Sequence, residues 1–103
     1  MSANDIECFL RCPKSSHPDI LLPHGKEVIV GRGERTKIEE SRCSRNQLKV
    51  VSDCQEFTVT ATQLGPNSSF SNGERIGRHN SVTLQYKEKI NLLENQYELK
   101  VLL

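Results

Sequence analysis

The stretch EFTVTATQL, residues 56 to 64, alternates apolar side chains with hydroxyl-bearing ones at a period of two. Phe57, Val59 and Ala61 fall on one side, and threonines at 58, 60 and 62 fall on the other. Successive side chains of a strand point to opposite faces, and β-branched residues favour strands. The stretch therefore predicts a half-buried β-strand with the hydrophobic core on one side.

The rest of the chain repeats this pattern in short segments. Further strands are predicted at 6–12, 19–22, 27–31, 46–52, 81–86, 89–93 and 96–103, separated by turns rich in Gly, Pro, Asn and Ser. Residues 86 to 100 have the composition of a helix but lack a clean helical stripe. Many short strands at a spacing of roughly ten residues are typical of an all-β sandwich.

Length and charge restrict the function. The 103 residues suit one domain with a thin core, since 35% are apolar and there is no Trp. The formal net charge is +1, so any basic site is local, which disfavours wrapping of duplex DNA by overall charge. The N-terminal stretch MSANDIECFL has no charged leader and no long apolar run, so we expect an intracellular protein without membrane contact.

The cysteines and histidines point to neither a metal site nor catalysis. The four cysteines have no CxxC spacing, and in an intracellular protein we expect them to be reduced. Strand positions such as 8 and 12 are too far apart to ligate one zinc ion with His17 and His24, so Cys8 and Cys12 are expected to pack as small hydrophobes. The three histidines have no fixed partner for a catalytic triad. No enzyme activity, metal or cofactor is expected.

Basic side chains concentrate in GRGERTKIEESRCSR, residues 31 to 45, between two predicted strands. Arg32 lies between two glycines, and SRCSR supplies Arg42, Ser44 and Arg45. Guanidinium groups, hydroxyls and free backbone N–H groups are the partners that a phosphate prefers. In an extended segment Arg42 and Ser44 would point to one side and Arg45 to the other. From the residues alone, solvated surface charges remain the alternative to an anion site.

The order of three motifs resembles a forkhead-associated (FHA) domain. They are VGRG at 30–33, CSRNQ at 43–47 and LGPNSS at 64–69, and the resemblance extends over essentially the whole chain. Many FHA domains have His where Gln47 stands, so this residue favours the DNA-strand-break-repair subgroup. The resemblance implies that residues 1–103 form a single FHA domain, the N-terminal module of a larger DNA-repair protein. The implied fold is a β-sandwich of about eleven strands in two sheets, with ligand-binding loops at one end.

The resemblance also implies residue roles, because FHA domains bind phosphothreonine peptides. Arg32, Ser44 and Arg42 would bind the phosphate. Arg45 and Asn67 would brace the loops or hold the peptide backbone. A small pocket would take the threonine methyl group.

The implied ligand is a phosphothreonine-containing acidic peptide of a repair scaffold protein phosphorylated by casein kinase II. Arg35 and Lys37 would form a basic rim for its acidic flank. The domain would thus recruit a nuclear strand-break repair protein, whose catalytic part lies outside this chain, and would act as a monomer. One departure weakens the case for an extended acidic ligand: Ser41 stands where repair-type domains often have a second basic residue before CSR.

Direct binding of a nucleic-acid phosphate backbone through the same basic loops is the alternative. Single-stranded nucleic acid is commonly held by aromatic side chains interleaved with basic ones. The five aromatic residues here fall mostly at alternating core positions and not within the basic cluster. Direct DNA binding is therefore disfavoured.

Overall fold

Ten β-strands make up the computed structural model, which describes residues 7–103. The strands are β1 (Cys8–Arg11), β2 (Ile20–Leu22), β3 (Glu27–Val30), β4 (Leu48–Asp53), β5 (Thr58–Gln63), β6 (Phe70–Ser71), β7 (Glu74–Arg75), β8 (Ser81–Gln85), β9 (Lys89–Leu93) and β10 (Gln96–Leu102). The strand predicted at 6–12 begins at residue 6, which lies outside the described residues. The N-terminal stretch MSANDIECFL also begins outside them. Within residues 7–103, no helix could cross a membrane.

The strands form two antiparallel sheets. One has six strands in the order β2-β1-β10-β9-β6-β7, and the other has four in the order β3-β4-β5-β8. The predicted all-β sandwich is confirmed, with ten named strands in the described part of the chain where about eleven were expected. Residues 31 to 47 form turns with one isolated bridge, between Gly33 and Ile38, because the polar side chains of this segment bond to nearby backbone instead of a neighbouring strand.

The stretch at 56–64 contains β5, one of the two central strands of the four-stranded sheet, as a strand was predicted there. Val59 and Ala61 of β5 are buried in the core, whereas Thr60 on the opposite face is exposed. Phe57 does not continue the core face: it is 44% exposed and has a φ of 58°. The left-handed backbone at Phe57 turns the chain before β5 begins at Thr58, so the alternation cannot extend to it.

The core lies between the two sheets and is built from the inward residues of both. The largest fully buried apolar side chains are Leu10, Ile20, Leu22, Leu48, Leu84, Ile90, Leu92 and Leu99. Two contacts join the sheets at one end of β4. Ser52 Oγ donates to the Leu22 carbonyl at 2.8 Å, and the sulfurs of Cys54 and Cys8 lie 3.4 Å apart.

A short hairpin of β6 and β7 lies inside a segment expected to be one long connection. Its two-residue turn, Asn72-Gly73, has φ values of 51° and 84°. Positive φ at both central residues is what a type I′ turn requires, and Asn-Gly is its preferred sequence. The Asn-Gly dipeptide was the signal in the sequence that predicts this hairpin.

Candidate anion-binding site

Three loops meet beside the start of β4. The first loop comprises residues 31–40, the second loop residues 41–47 and the third loop residues 64–69. The Arg32 backbone N–H donates to the Ser44 carbonyl at 3.0 Å, which joins the first two loops. A Cβ on Gly31 would lie 2.3 Å from the Ser44 carbonyl oxygen and 2.5 Å from that of Arg45. Only glycine at position 31 therefore lets these two loops approach so closely.

Arg32 is half-buried and held by one bond through its side chain. Its Nε donates to the Cys43 carbonyl at 3.0 Å. The structure records no other side-chain hydrogen bond and no ion pair for Arg32 within residues 7–103. The guanidinium is thus fixed at its inner nitrogen while its two terminal nitrogens remain available. Arg32 lines an open depression together with Lys37 and Arg45.

Ser44 follows directly in the second loop, with its hydroxyl oriented by a local turn. Ser44 Oγ accepts the Asn46 backbone N–H at 3.1 Å, which leaves the hydroxyl proton free to donate. Arg45 is exposed and lines the depression with Arg32, whereas Arg42 and Ser44 do not line it. Residues 41 to 46 form turns and not an extended strand, and the period-two argument does not apply to turns.

Arg42, in the second loop, forms an ion pair with Glu40 of the first loop. Its Nε donates to Glu40 Oε1 at 2.6 Å, and the two side chains form an ion pair. Tyr97 Oη donates to the other oxygen of Glu40 at 3.1 Å. The hydrogen bond from Arg42, together with that from Tyr97, lowers the pKa of Glu40 although burial opposes the shift. An anion that recruits Arg42 must therefore compete with an ionised carboxylate.

Gln47 is fully buried and connects the loops to the core. Its Oε1 accepts the Ser44 backbone N–H, and its Nε2 faces the carbonyls of Asn67 and Leu92 and the hydroxyl of Ser69, all at 2.7 to 3.1 Å. A buried amide with all its groups paired fixes loop positions, since any displacement leaves polar groups unpaired. In the sequence, Gln47 favoured the DNA-strand-break-repair subgroup. In the structure, its amide connects the second loop to the third loop and to β9.

A second buried glutamine, Gln63, was missed at the level of sequence. Its Nε2 donates to the carbonyls of Gly65 and Asn67, both at 2.9 Å, and its Oε1 accepts the Ser69 N–H at 3.1 Å. Gln63 continues the inward positions of Val59 and Ala61 on β5. A polar residue at an inward strand position was the signal that could have identified it.

Asn67 lies at the exposed tip of the third loop. Its Nδ2 donates to the Arg42 carbonyl at 2.9 Å, so its side chain connects the third loop to the second. The structure records no hydrogen bond for its Oδ1 with the described residues. This oxygen can accept from a ligand while the amide nitrogen braces the loops.

The two predicted rim cations differ in position. Lys37 lines the depression, whereas Arg35 is exposed and does not line it. Glu34 and Glu39 also line the depression. The rim therefore carries both signs of charge, and Lys37 is the predicted rim cation that the structure brings to Arg32.

The four cysteines differ in how deeply they are buried. Cys43 is buried beneath the loops, and burial raises the pKa of its thiol even though the nearby Arg32 opposes this. Cys8 is fully buried in the core, and Cys12, in the turn that follows β1, is partly exposed but packs against the core, as expected. All four are free thiols, and no cluster of three or more potential metal ligands occurs within residues 7–103.

Comparison with known proteins agrees with this fold and loop arrangement. Residues 8–78 match the family model described as FHA domain, which is more than half of the chain. The chain belongs to the forkhead-associated family, and this membership confirms the expectation of a binding module.

Two curated relatives share more than a third of their aligned residues with the chain and confirm its kinship with DNA-repair FHA domains. Aprataxin of Ciona intestinalis is 35% identical over 101 residues, which is 98% of this chain and 27% of that protein. Aprataxin of Danio rerio is 34% identical over 94 residues, which is 91% of this chain and 29% of that protein. The chain thus spans less than a third of the length of these relatives.

Solved structures show the same fold at lower identity. The FHA domain of human APLF in complex with an XRCC1 bisphospho peptide superimposes with a TM-score of 0.81 at 18% identity, covering 94% of this chain and 98% of that one. The N-terminal FHA domain of S. cerevisiae Rad53p in complex with a phosphothreonine peptide gives 0.74 at 14% identity, covering 95% and 94%. Both of these similar domains were solved with a phosphorylated peptide bound.

Proposed function

We propose that this domain binds a phosphothreonine peptide at the meeting point of the three loops. The observation that carries the proposal is the state of Arg32. Its backbone N–H and its Nε are both bonded to the second loop, so the guanidinium is oriented before any ligand arrives. Its terminal N–H groups remain unpaired within the described residues. A preoriented, unpaired guanidinium is suited to a bidentate contact with a phosphate dianion.

Ser44 and Arg42 complete the proposed phosphate contacts. The Ser44 hydroxyl is held by Asn46 and can donate to a phosphate oxygen. Arg42 can exchange its bond to Glu40 for a phosphate, which carries about −1.5 to −2 charges at neutral pH. The higher charge favours the phosphate over the single carboxylate. Asn67 Oδ1 and Arg45 would then contact the peptide main chain or the loop.

A preference for threonine over serine would come from a methyl-sized contact in this site. Burying one methyl group is worth only about 1 kcal/mol, so contact area alone gives a preference of roughly fivefold. A sharper preference requires that the methyl group also fix the geometry of the phosphate.

The proposed partner is an acidic phosphothreonine segment of a DNA-repair scaffold protein. The support is the lining of the depression, where the three cations Arg32, Lys37 and Arg45 outnumber two glutamates, and the human APLF domain with its XRCC1 peptide. Casein kinase II, which phosphorylates threonines next to acidic residues, is the proposed kinase. Within a longer aprataxin-like protein, the chain would act as the nuclear targeting module at the N-terminus, as a monomer, with Arg35 assisting from outside the depression.

Titration of the domain with three matched peptides tests the proposal. The peptides carry phosphothreonine, phosphoserine or unmodified threonine in one sequence rich in Asp and Glu. We expect the phosphothreonine peptide to bind tightest and the unmodified peptide not to bind measurably. Equal binding of the phosphorylated and unmodified peptides contradicts the proposal. A random oligonucleotide serves as a further arm: tight binding with a steep salt dependence would assign the loops to a nucleic-acid backbone instead.

A further inference from the structure

Two buried thiols from different sheets are in contact inside the sandwich. Cys8 belongs to β1 of the six-stranded sheet, and Cys54 directly follows β4 of the four-stranded sheet. Their sulfurs are 3.4 Å apart, and the two residues are 0% and 2% exposed. The structure records no sulfur–sulfur contact for Cys12 or Cys43 within residues 7–103. The contact between Cys8 and Cys54 therefore places two oxidisable groups together across the core.

Hydrogen bonds hold the backbone on both sides of this thiol pair. Ser52 Oγ donates to the Leu22 carbonyl at 2.8 Å, and Leu22 is the partner of Cys8 in the register of β1 with β2. The Cys54 backbone N–H donates to His24 Nδ1 at 3.0 Å. An S–S bond of about 2.05 Å requires the sulfurs to approach by about 1.4 Å, which small side-chain rotations can supply.

The two thiols differ in their access to a small oxidant. Cys54 lies in a turn and is followed by the exposed Gln55 and Glu56, so local opening of this turn uncovers its sulfur. Cys8 lies on β1, which is paired on both sides, with β2 and with β10. Burial, together with the hydrogen bond to Cys54, raises the pKa of Cys8 to about 12, so this thiol stays protonated at neutral pH. Cys54 is thus the sulfur that meets an oxidant first.

We propose that Cys8 and Cys54 form a reversible disulfide between the two sheets when the protein meets a peroxide. Hydrogen peroxide first oxidises the Cys54 thiol to the sulfenic acid, with release of one water molecule. The Cys8 sulfur then attacks the Cys54 sulfur to form the S–S bond, and the Cys8 proton leaves with the sulfenic hydroxyl as a second water molecule. Two electrons pass from the thiol pair to one peroxide. A dithiol restores both thiols by exchange, so in a reducing compartment the bond is transient.

The disulfide stabilises the fold without reaching the candidate anion-binding site. It links positions 46 residues apart, which restricts the unfolded chain and thereby favours the folded one. The three loops meet beside the start of β4, whereas Cys54 follows its end, and the six residues of this strand span about 20 Å. The inference is independent of phosphopeptide binding and concerns the survival of the folded domain under oxidising conditions.

Oxidation of the folded domain by hydrogen peroxide, followed to its end point, tests the inference. The product is digested without reduction, and linked peptides are identified by mass spectrometry. Melting temperatures are compared before oxidation, after oxidation and after reduction with dithiothreitol. Two matched variants are treated in parallel. Cys54→Ser removes one member of the pair, whereas Cys12→Ser removes the partly exposed cysteine and leaves the pair intact.

We expect peptides joined through Cys8 and Cys54 in the wild-type domain and in Cys12→Ser. The melting temperature of both should rise by about 10 °C or more on oxidation and return on reduction. Cys54→Ser should show neither the linked peptides nor the rise. No linkage at the end point, linkage of other cysteines in place of this pair, or a linked domain that melts no higher than the reduced one overturns the inference. Peptide mapping of the wild-type domain decides the matter even if Cys54→Ser does not fold.

Discussion

Gln47 Oε1 accepts the backbone N–H of Ser44 at 3.1 Å, and this bond couples the buried end of the site to the proposed phosphate contact. The Nε2 of the same amide contacts groups of the third loop and of β9. The position of Ser44 thus depends on a side chain that is fully buried. The loops are set by buried amide hydrogen bonds, and the exposed charges are carried on them.

Replacing Gln47 by methionine should destabilise the fold and weaken phosphopeptide binding. Methionine preserves the size but leaves the Ser44 N–H without this partner, whereas the carbonyls of Asn67 and Leu92 keep their bonds from Gln63 and Ser69. A buried group left unpaired costs about 1 to 3 kcal/mol, so we expect a loss of about 1 to 3 kcal/mol in the free energy of unfolding. Urea denaturation measures it, with Gln55→Met as the exposed control. A loss below about 0.5 kcal/mol would contradict the assigned role.

Gly31→Ala should weaken phosphopeptide binding more than it weakens the fold. The new Cβ would lie 2.3 Å from the Ser44 carbonyl, so the first and second loops must separate and Arg32 must move. Gly25→Ala is the control, because position 25 lies in the turn between β2 and β3 and has open space for a Cβ. Its φ of 74° would strain alanine, so this variant also tests the effect of backbone strain alone. We expect Gly25→Ala to lower the melting temperature and leave affinity unchanged. Equal affinities of the two variants would refute the close approach of the loops.

The ion pair of Glu40 with Arg42 should appear in the pH dependence. The pKa of Glu40 is lowered in the folded protein, chiefly by the hydrogen bond from Arg42. Its stabilising contribution is therefore complete above the ordinary value of 4.5 and is lost as the pH falls through the lower folded value. NMR titration of the Glu40 carboxyl should give a midpoint below 4.5 that moves upward in Arg42→Ala. A midpoint at or above 4.5 in the wild-type domain would exclude the pairing.

The alternation of residues 58 to 63 predicted one half-buried strand, and the repetition of such short strands along the chain predicted the sandwich. The residues at which strands begin and end were harder to predict from the sequence. Phe57 has the composition of a strand residue, yet a left-handed backbone removes it from β5, and nothing in the alternation signals that turn. The β6–β7 hairpin could have been predicted from Asn72-Gly73, because Asn-Gly favours a two-residue hairpin turn. The alternation of apolar residues does not detect such short strands.

The candidate site was predictable in its membership and less so in its geometry. Motif order identified Arg32, Ser44 and Asn67, and the structure places one of them in each of the three loops that meet beside β4. The pairing of Arg42 with Glu40 depends on a turn whose dihedral angles sequence spacing does not specify. Arg45 lines the depression beside Arg32, a neighbourhood that the spacing within SRCSR does not specify.

The four cysteines should differ sharply in reactivity under native conditions. Cys12 is partly exposed, whereas burial and the neighbouring Cys54 raise the pKa of Cys8 to about 12. We expect one alkylated site per folded molecule at pH 8 and four after denaturation, as measured by mass spectrometry with peptide mapping. Cys12→Ser should remove the native modification. Modification of Cys8 or Cys54 at the rate of Cys12 would contradict their burial.

Calorimetric titration of Arg32→Ala with the acidic phosphothreonine peptide tests the proposed function most directly. Arg75→Ala is the control, because Arg75 is exposed on β7 and does not line the depression. Loss of an ionic contact predicts that Arg32→Ala costs at least about 2 kcal/mol, more than tenfold in affinity, while the fold survives. Ser44→Ala should lose less, since a neutral hydroxyl bond is weaker. If a folded Arg32→Ala domain binds the peptide as tightly as Arg75→Ala, Arg32 is not the phosphate ligand and the proposed function is wrong.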